Sequence, residues 1–468
     1  MKPMKRVFVF LGFFFLSACF PQATIHTVQT EEESKVILYL QPMMPGGSKI
    51  RCIIDAIHMK RDNGDKIPLT LFFNELKGDV PGRQKRLASG GVLQGAYTGL
   101  VIRIKSAFLE GEEGEAALLT PDEPVDINLS FNVADREVVT LFLSFETSGA
   151  ILNGVKFTPI FSLEPSKRIL TSFIGYVSNT DENWISVFNK KTMQVVGGIS
   201  TGRGPMGMAL DPKRGRLYIA TSGDNAIDII DVFEWKVIDR ITLHFGDTPI
   251  DLALSSDGRT LMSVNNASNT VSIIDTQSMF EIERIQVGES PASAVIHPSG
   301  LKAYVMNSLS NSISVVDLAR NEMVASMPFD GRPEQGAFNQ RGDELYIVGR
   351  NSPHLLVIDP SRLRVIKTIF VGMENFSILV NKQTDLVFVG NKGTREIAII
   401  SSVASMYIDR IGIEGMPAYM SVDNEENTLF VVLPTMKTLQ KLNLTSKKSI
   451  AEIDVGEGAY AVVVMGDR

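Results

Sequence analysis

A repeat of about 42 residues fills the C-terminal two-thirds of this 468-residue chain, and it constrains the fold more than any other feature. Each copy contains a short apolar segment with a strand-like composition. These segments begin at Tyr176, Tyr218, Met262, Tyr304, Tyr346, Val387 and Phe430, at spacings of 42, 44, 42, 42, 41 and 43 residues. Such regular spacing indicates structural units that pack against their neighbours in the chain.

Each copy holds four strand-like pieces separated by turn residues. The pieces of the third copy are 249–254, 260–265, 271–275 and 281–285. Gly258 lies in the turn after the first piece, where it supplies the positive φ that a tight hairpin needs. Four strands in about 42 residues is the period of a propeller blade. We therefore predict an all-β fold in which residues 173–468 form a seven-bladed β-propeller.

The order of the strands predicts how the ring closes. The repeat region begins with the second strand of a blade, at Tyr176, and ends with a first strand over residues 458–464. We predict that this C-terminal strand joins the three strands at the start of the region in one blade. Such closure removes the exposed edges at which an open ring would separate.

Several segments resemble the YVTN family of β-propeller repeats. The matching segments are Tyr176-Val177-Ser178-Asn179, Tyr304-Val305-Met306-Asn307 and Ile313 to Asp317. The resemblance covers about residues 173–468 and implies the propeller fold. It implies no single activity, because such repeats carry unrelated functions.

Residues 35–165 lack the repeat but are also rich in strand-like segments. These segments are 36–40, 49–59, 95–104, 124–132, 137–145 and 154–161. Their number and length predict a β-sandwich domain. Gly95-Ala96-Tyr97 and Phe157-Thr158-Pro159 resemble a bacterial lipoprotein domain family of unknown function, which implies a transthyretin-like sandwich without catalytic residues.

The N-terminal sequence predicts a location in the cell envelope. Residues 1–18 combine three basic residues with the apolar stretch 7–15, as signal peptides do. Leu16-Ser17-Ala18-Cys19 resembles the bacterial lipobox, which implies cleavage before Cys19 and lipidation of its thiol. An ordinary secretory signal with a chance cysteine is the alternative. We predict an outer-membrane lipoprotein, facing the periplasm or the surface, with a tether over 19–34 and a linker over 166–172.

Composition excludes several classes of partner and cofactor. The net charge is −7 and there is no basic run, so we predict no nucleic-acid partner. The two cysteines, Cys19 and Cys52, cannot build a disulfide framework, and we expect Cys52 to be a buried, inert thiol. The five histidines have no metal-ligand spacing, and no CxxCH haem motif occurs. We therefore predict neither a metal nor a cofactor.

Three features of the repeat have structural interpretations. Residues 202–207 spell GxGxxG, but a strand-like segment follows where a dinucleotide site needs a helix, so we interpret them as a repeat turn. His297 occupies the repeat position of Asp211, which predicts a place in a turn between two strands. Aspartates close four successive third strands, at Asp231, Asp275, Asp317 and Asp359. We expect them to accept hydrogen bonds from backbone N–H groups in turns.

Candidate binding residues lie in two sets of loops. The loops from a blade's last strand to the next blade's first strand (D–A loops), and those between second and third strands (B–C loops), surround one mouth of a propeller's channel. Charge placed irregularly on a regular scaffold suggests function, and we predict a binding cluster of Arg203, Arg332 and Glu334. Further candidates are Glu289, Glu374 and Asn375 in D–A loops, and Asn183, Asn225, Asn266, Asn311, Asn351 and Asn391 in B–C loops. A solvated rim without function is the alternative for each.

The sequence thus predicts a lipid-anchored envelope protein that binds a protein, peptide, cofactor or glycan through its propeller, with no catalytic residues assigned. Rigid blades would hold the loops in place, so that little entropy is lost on binding. One alternative is a propeller enzyme, either a lactonase-like hydrolase or an oxidoreductase subunit. Hydrolysis would need converging carboxylates or a metal at the channel mouth, with shifted pKa values. A structural spacer on the cell surface is the other.

Overall fold

The computed structural model describes residues 34–43, 49–77, 82–111 and 114–466, which form strands, turns and three short 3₁₀ helices. The predicted all-β fold is confirmed. The predicted signal peptide, Cys19 and nearly all of the tether lie outside the described residues. No helix in the described ranges is long and apolar enough to span a bilayer.

The N-terminal part is a sandwich-like, partly closed sheet. Its strands are β1 (Ser34–Leu40), β2 (Ile50–Arg61), β3 (Lys66–Leu71), β4 (Glu75–Lys77), β5 (Lys85–Val92), β6 (Gly95–Gly111), β7 (Gly114–Leu118), β8 (Val125–Val133), β9 (Val138–Glu146), β10 (Ile151–Leu152), β11 (Lys156–Phe157) and β12 (Ile160–Pro165). The sheet runs in the order β12-β9-β1-β5-β3-β2-β6-β7, with β4 beside β2 and β8 beside β6, and β10 pairs only with β11. The predicted fold class is confirmed for this part.

Two details of this part test the sequence analysis. The strand predicted over 154–161 is instead split into β11 and β12 around Pro159, which has no N–H to donate to a ladder. Cys52 on β2 is fully buried, as predicted, and burial raises the pKa of its thiol to about 12. The thiol is therefore protonated and unreactive at neutral pH.

The C-terminal part is a ring of seven four-stranded sheets, as predicted, within the described residues. Its first strands are β13 (Ile174–Asn179), β14 (Trp184–Asn189), β15 (Gln194–Ser200), β16 (Pro205–Asp211), β17 (Arg216–Thr221), β18 (Ala226–Asp231), β19 (Lys236–Thr242), β20 (Pro249–Leu254), β21 (Thr260–Asn265), β22 (Thr270–Asp275), β23 (Phe280–Gln286), β24 (Pro291–Ile296), β25 (Lys302–Asn307), β26 (Ser312–Asp317) and β27 (Glu322–Pro328). Its last strands are β28 (Pro333–Phe338), β29 (Leu345–Gly349), β30 (His354–Asp359), β31 (Arg364–Phe370), β32 (Asn375–Asn381), β33 (Leu386–Asn391), β34 (Glu396–Ser401), β35 (Met406–Gly412), β36 (Tyr419–Asp423), β37 (Thr428–Leu433), β38 (Thr438–Asn443), β39 (Lys448–Asp454) and β40 (Ala459–Val464). The 3₁₀ helices are Thr171–Phe173, Thr180–Glu182 and Pro434–Met436.

The ring closes as the strand order predicts. Blade 1 runs β40-β13-β14-β15 from the centre outward, and blades 2 to 7 each take four consecutive strands, which we call A to D from the centre. β40 pairs antiparallel with β13, with Val462 opposite Val177. A fully buried ion pair of 2.9 Å joins Lys190 of blade 1 to Asp423 of blade 7, and the same ammonium donates to the Met465 carbonyl.

The repeated residues form hydrogen bonds that recur from blade to blade. An asparagine at the end of strand B donates to a serine in strand C of the same blade. These pairs are Asn179 with Ser186, Asn265 with Ser272 and Asn307 with Ser314, at 2.8–3.0 Å. The aspartates at the ends of C strands accept from backbone N–H groups two or three residues further on, which confirms their predicted turn role at Asp231, Asp275, Asp317 and Asp359.

The N-terminal part docks against the outer strands of blades 1 and 7. Tyr39 of β1 and Phe142 of β9 share a buried apolar cluster with Trp184 of blade 1 and Phe430 of blade 7. Every second residue of β15 is buried, whereas β31 of blade 5 buries only one residue, Ile369. The docked strands therefore cover blade 1 at the place where the ring closes.

Polar contacts complete this coverage. The buried side-chain amide of Gln84 accepts from the Val195 N–H at 2.7 Å and donates to the Val195 carbonyl at 3.0 Å. It pairs with the free edge of β15 as another strand would. Arg83 forms ion pairs with Glu452 and Asp454 on β39.

A buried arginine fixes the N-terminal part to the B–C loop of blade 1. The Arg86 guanidinium donates to both oxygens of Glu182, at 2.9 and 2.8 Å. Burial raises the pKa of Glu182, but the hydrogen bonds and charge of Arg86 outweigh it and hold that pKa at about 2. We call the Arg86–Glu182 and Lys190–Asp423 pairs, with the strands that carry them, the closure seam.

Candidate functional site

The D–A and B–C loops meet at one end of the channel, where asparagines join them. In four B–C loops an asparagine with left-handed backbone accepts a hydrogen bond from the N–H of the residue just before the next A strand. The pairs are Asn183 with Gly204, Asn225 with Thr248, Asn269 with Ser290 and Asn311 with Arg332, at 2.8–3.0 Å. These asparagines hold the loops together, and Asn269 takes the place that the sequence analysis gave to Asn266.

The structure places the predicted site residues at separate points around this end. Arg203 lies before blade 2, where its Nε donates to Asp224 Oδ1 at 2.6 Å. Arg332 and Glu334 lie three blades further on, at the start of blade 5. Arg203 and the other two residues are therefore in different sectors of the ring.

The other predicted residues have mainly backbone contacts. Glu289 is exposed and its N–H donates to Ser310 Oγ. Glu374 is also exposed, at a left-handed position that it shares with Arg332. Asn375 is fully buried, and its amide donates to the carbonyls of Ser352 and Gly372. Their role in binding stays a prediction.

Four side chains of blades 5 and 6 converge at the channel mouth, and we call Glu334, Arg350, Phe376 and Lys392 the mouth cluster. The Arg350 Nε is 2.8 Å from Glu334 Oε1, which also accepts from Ser308 Oγ at 3.4 Å. The Lys392 Nζ lies 3.4 Å from the centre of the Phe376 ring, and the Arg350 Cζ lies 5.5 Å from it. Two cations thus share one aromatic ring beside one carboxylate.

Burial disfavours the charges of this cluster. Glu334 is only 6% exposed, and burial raises the pKa of its carboxyl despite the opposing effects of Arg350 and Lys392. Burial, and then the like charge of Arg350, lower the pKa of the Lys392 ammonium. The charges of the mouth cluster are therefore held close together at an electrostatic cost.

Two further titratable groups lie on the inner strands of the channel. Burial raises the pKa of Asp251, the third residue of its A strand, to about 7, although the Ala294 N–H donates to it. Burial also raises the pKa of Tyr460 on β40, and the charges of Asp251, Glu334 and Arg350 all act on it. The mouth cluster is therefore electrostatically coupled to the inner strands.

Two arginines in other sectors of the same end each donate through two nitrogens to a buried aspartate. Arg240 donates through two nitrogens to the buried Asp228, at 2.6 and 3.2 Å. Arg284 donates through both terminal nitrogens to the buried Asp247, at 2.6 and 2.8 Å. Such two-nitrogen pairs neutralise charge and fix loops.

The sequence analysis missed three residues of the mouth cluster, although the repeat alignment holds a signal for them. The residue directly after strand B is Thr180, Ser222, Asn266, Ser308, Arg350, Lys392 and Pro434 in blades 1 to 7. Cations occur there only in the neighbouring blades 5 and 6. Glu334 and Phe376 are the second residues of the A strands in these same two blades.

Two alternative chemical motifs resolve into structural roles. A strand follows Gly204, which confirms that GxGxxG is a repeat turn, and a Cβ on Gly207 would lie 2.6 Å from the Asp251 Cα of the next blade. His297 Nδ1 accepts from the Ser299 N–H in the predicted A–B turn. Within the described ranges, no three His, Cys, Asp or Glu side chains are placed to share a metal ion.

Comparisons with known proteins support the fold. No family model and no curated protein matches the chain, so the YVTN and lipoprotein resemblances stay predictions. Kuenenia stuttgartiensis hydrazine synthase is similar in structure, at 20% identity and a TM-score of 0.50, covering 55% of this chain and 88% of that chain. A functionally unknown protein from Desulfotomaculum acetoxidans DSM 771 has 12% identity and a TM-score of 0.58, and the match covers 64% of this chain and 100% of that chain. Dihydro-heme d1 dehydrogenase NirN in complex with DHE has 12% identity and a TM-score of 0.51, and the match covers 64% of this chain and 77% of that chain. At these identities the likeness shows the fold alone, and by that fold the chain is a β-propeller protein.

Proposed function

We propose that this protein is a lipid-anchored binding protein of the bacterial envelope that captures a ligand at the mouth cluster. One observation carries the proposal: Glu334, Arg350, Phe376 and Lys392 converge from two blades at the end of the channel where the D–A and B–C loops meet. Convergent polar groups whose titration is perturbed are typical of functional sites.

The rigidity of the scaffold supports a binding role. Beside the mouth cluster, Asn375 donates to the Ser352 and Gly372 carbonyls and Asn391 donates to the Val371 carbonyl. These bonds and the strand pairing hold the loops in a fixed arrangement, so little conformational entropy is lost when a ligand binds. The cluster contains one enclosed carboxylate, two cations and an aromatic ring, which is chemistry suited to recognition. We therefore propose binding without catalysis.

A matched pair of phenylalanine variants tests the site. We would screen full-length protein in detergent against small carboxylates, phosphate esters, sugars and short peptides, and follow the melting temperature. A compound that binds at the mouth should stabilise the wild type and Phe370→Ala, but not Phe376→Ala. Phe370 is the control because it is 67% exposed on the outer strand β31. Equal stabilisation of both variants would move the site elsewhere, and a screen without any stabilising compound would argue for the spacer role.

The anchor is a separate part of the proposal, and it depends on the lipobox resemblance at Cys19. More than one acyl chain on this residue would give lasting membrane attachment, which one chain does not. Cys19→Ser should release the protein from the membrane fraction, whereas Cys52→Ser should leave it attached. Tight membrane association of Cys19→Ser would contradict lipidation, and fractionation would also test the proposed outer-membrane location.

A further inference from the structure

We infer that the ligand of the mouth cluster is a small oxyanion, bound by its carboxylate or phosphate group between the Arg350 guanidinium and the Lys392 ammonium. This inference rests on the proposed function and names the class of ligand for that site. The argument comes from the contacts that each cation makes and from those that it leaves open.

Arg350 is engaged through one nitrogen only. Its Nε contacts Glu334, and its side chain is 50% exposed. Within the described part of the chain, neither terminal guanidinium nitrogen has a hydrogen bond, in contrast to the arginines of blades 2 and 3. Two parallel N–H donors of a guanidinium match the two oxygens of a carboxylate or phosphate.

Lys392 has an aromatic contact in place of a carboxylate. Its Nζ lies on the Phe376 ring, and no carboxylate of the described residues is within 4.0 Å of it. Glu334 and the exposed Glu374 act on it only at longer range. Since Arg350 repels it, an anion between the two would relieve the repulsion and pair both charges.

The alternative of a cationic ligand does not fit the same geometry. Glu334 is enclosed, and its Oε1 is occupied by Arg350 and Ser308, so the accessible charges of the cluster are the two cations. Glu334 and Phe376 instead hold the cations in place before the ligand arrives. Such preorganisation reduces the cost of ordering on binding.

Calorimetric titration of the full-length protein with citrate and with glycerol phosphate at low salt tests the inference. Arg350→Gln should weaken binding about tenfold or more, because it removes a two-pronged, charge-assisted contact. Lys392→Gln should weaken binding about threefold to tenfold. Because this variant keeps the Arg350–Glu334 pair, it remains informative if Arg350→Gln is poorly folded. The control is Arg320→Gln, on a C–D turn at the opposite end, where the arginine is 72% exposed.

The outcomes separate this inference from the proposed function. Binding of one or both anions that weakens with salt and with both mouth variants, but not with Arg320→Gln, supports the oxyanion and identifies its chemistry as carboxylate or phosphate. If a neutral compound from the screen depends on Phe376 while neither anion binds, the oxyanion inference is wrong and the binding function stands. If nothing binds in a Phe376-dependent manner, both are wrong.

Discussion

The closure seam and the mouth cluster use the same kinds of residue in opposite ways. At the seam, Arg86 meets both oxygens of Glu182, and the pKa of this carboxyl falls to about 2. At the mouth, Arg350 meets Glu334 through one nitrogen, and the pKa of this carboxyl is raised. The contacts at the seam thus stabilise the charged form of Glu182, whereas the contacts at the mouth leave the charged form of Glu334 unfavourable.

This difference shows how stability and binding are distributed over the ring. Fully paired charges lock the blades that must hold the chain ends together, while incompletely paired charges remain at the opening. Charged groups that are costly in the free protein are typical of binding sites, because a ligand can complete their contacts. The comparison leads to four predictions about stability.

Removal of the closing strand should have the largest effect. A chain truncated after Ile453 loses β40, including the fully buried Val462 and Val464. Their burial and the lost ladder together should cost more than about 5 kcal/mol of unfolding free energy. Calorimetry should show no transition at the wild-type temperature, whereas deletion of residues 467–468 should leave it in place. An unchanged melt of the longer truncation would refute closure by β40.

Arg86→Ala should have the next largest effect. It leaves Glu182, whose side chain is only 12% exposed, with Lys35 as its remaining cationic partner, and loss of one partner of a buried pair typically costs about 3 kcal/mol. Denaturant unfolding would measure the change. Lys60→Ala, which breaks an exposed pair with Asp126, should stay within about 0.5 kcal/mol. Similar losses of unfolding free energy in the two variants would mean that the Arg86–Glu182 pair is no more stabilising than the exposed Lys60–Asp126 pair.

Acid should weaken the seam through Glu182. Because its pKa is lowered from 4.5 to about 2, its contribution is complete above pH 4.5 and disappears as the pH falls toward 2. The shift corresponds to roughly 3 kcal/mol. Melting curves between pH 7 and 3 should show that Glu182→Gln lowers stability at pH 7 and flattens the decline. Parallel curves for wild type and variant would contradict the ion-pair account.

Asp251→Asn should change the unfolding free energy with the opposite sign. Burial raises the pKa of Asp251 from 3.8 to about 7, so ionisation in the folded state costs stability as the pH rises through this interval. The asparagine keeps an acceptor for the Ala294 N–H and should raise the unfolding free energy at pH 8 by at least about 1 kcal/mol, with little change at pH 4. If Asp251→Asn instead loses stability at pH 8, the charge of Asp251 stabilises the protein, as the charges of the seam do.

The sequence predicted the ring because its period is repeated seven times. The B strands from Tyr176 to Phe430, the C–D turn aspartates and the closing strand all follow from local patterns that recur at a fixed position. The break at Pro159 in the strand predicted over 154–161 could have been predicted, because proline has no N–H to donate to a neighbouring strand. The alternation of residues in this segment led instead to the prediction of one continuous strand.

Contacts between distant segments could not be predicted in this way. The docking of Gln84 on Val195 joins residues 111 positions apart, and no periodicity marks it. At the mouth, Glu334 was identified by its charge, but Arg350, Phe376 and Lys392 required the aligned positions of two neighbouring blades. The role of Arg203 was open because a lone charge on a loop does not reveal its partner, here Asp224.

The place of β40 in the chain also has a consequence for biosynthesis. Blade 1 lacks its innermost strand until residue 464 has left the ribosome, although its other three strands are complete by residue 200. A nascent or prematurely terminated polypeptide therefore carries an incomplete sheet with an open ladder edge. Only a polypeptide that includes β40 can close the toroid, so quality-control proteases would distinguish the two by this one missing strand.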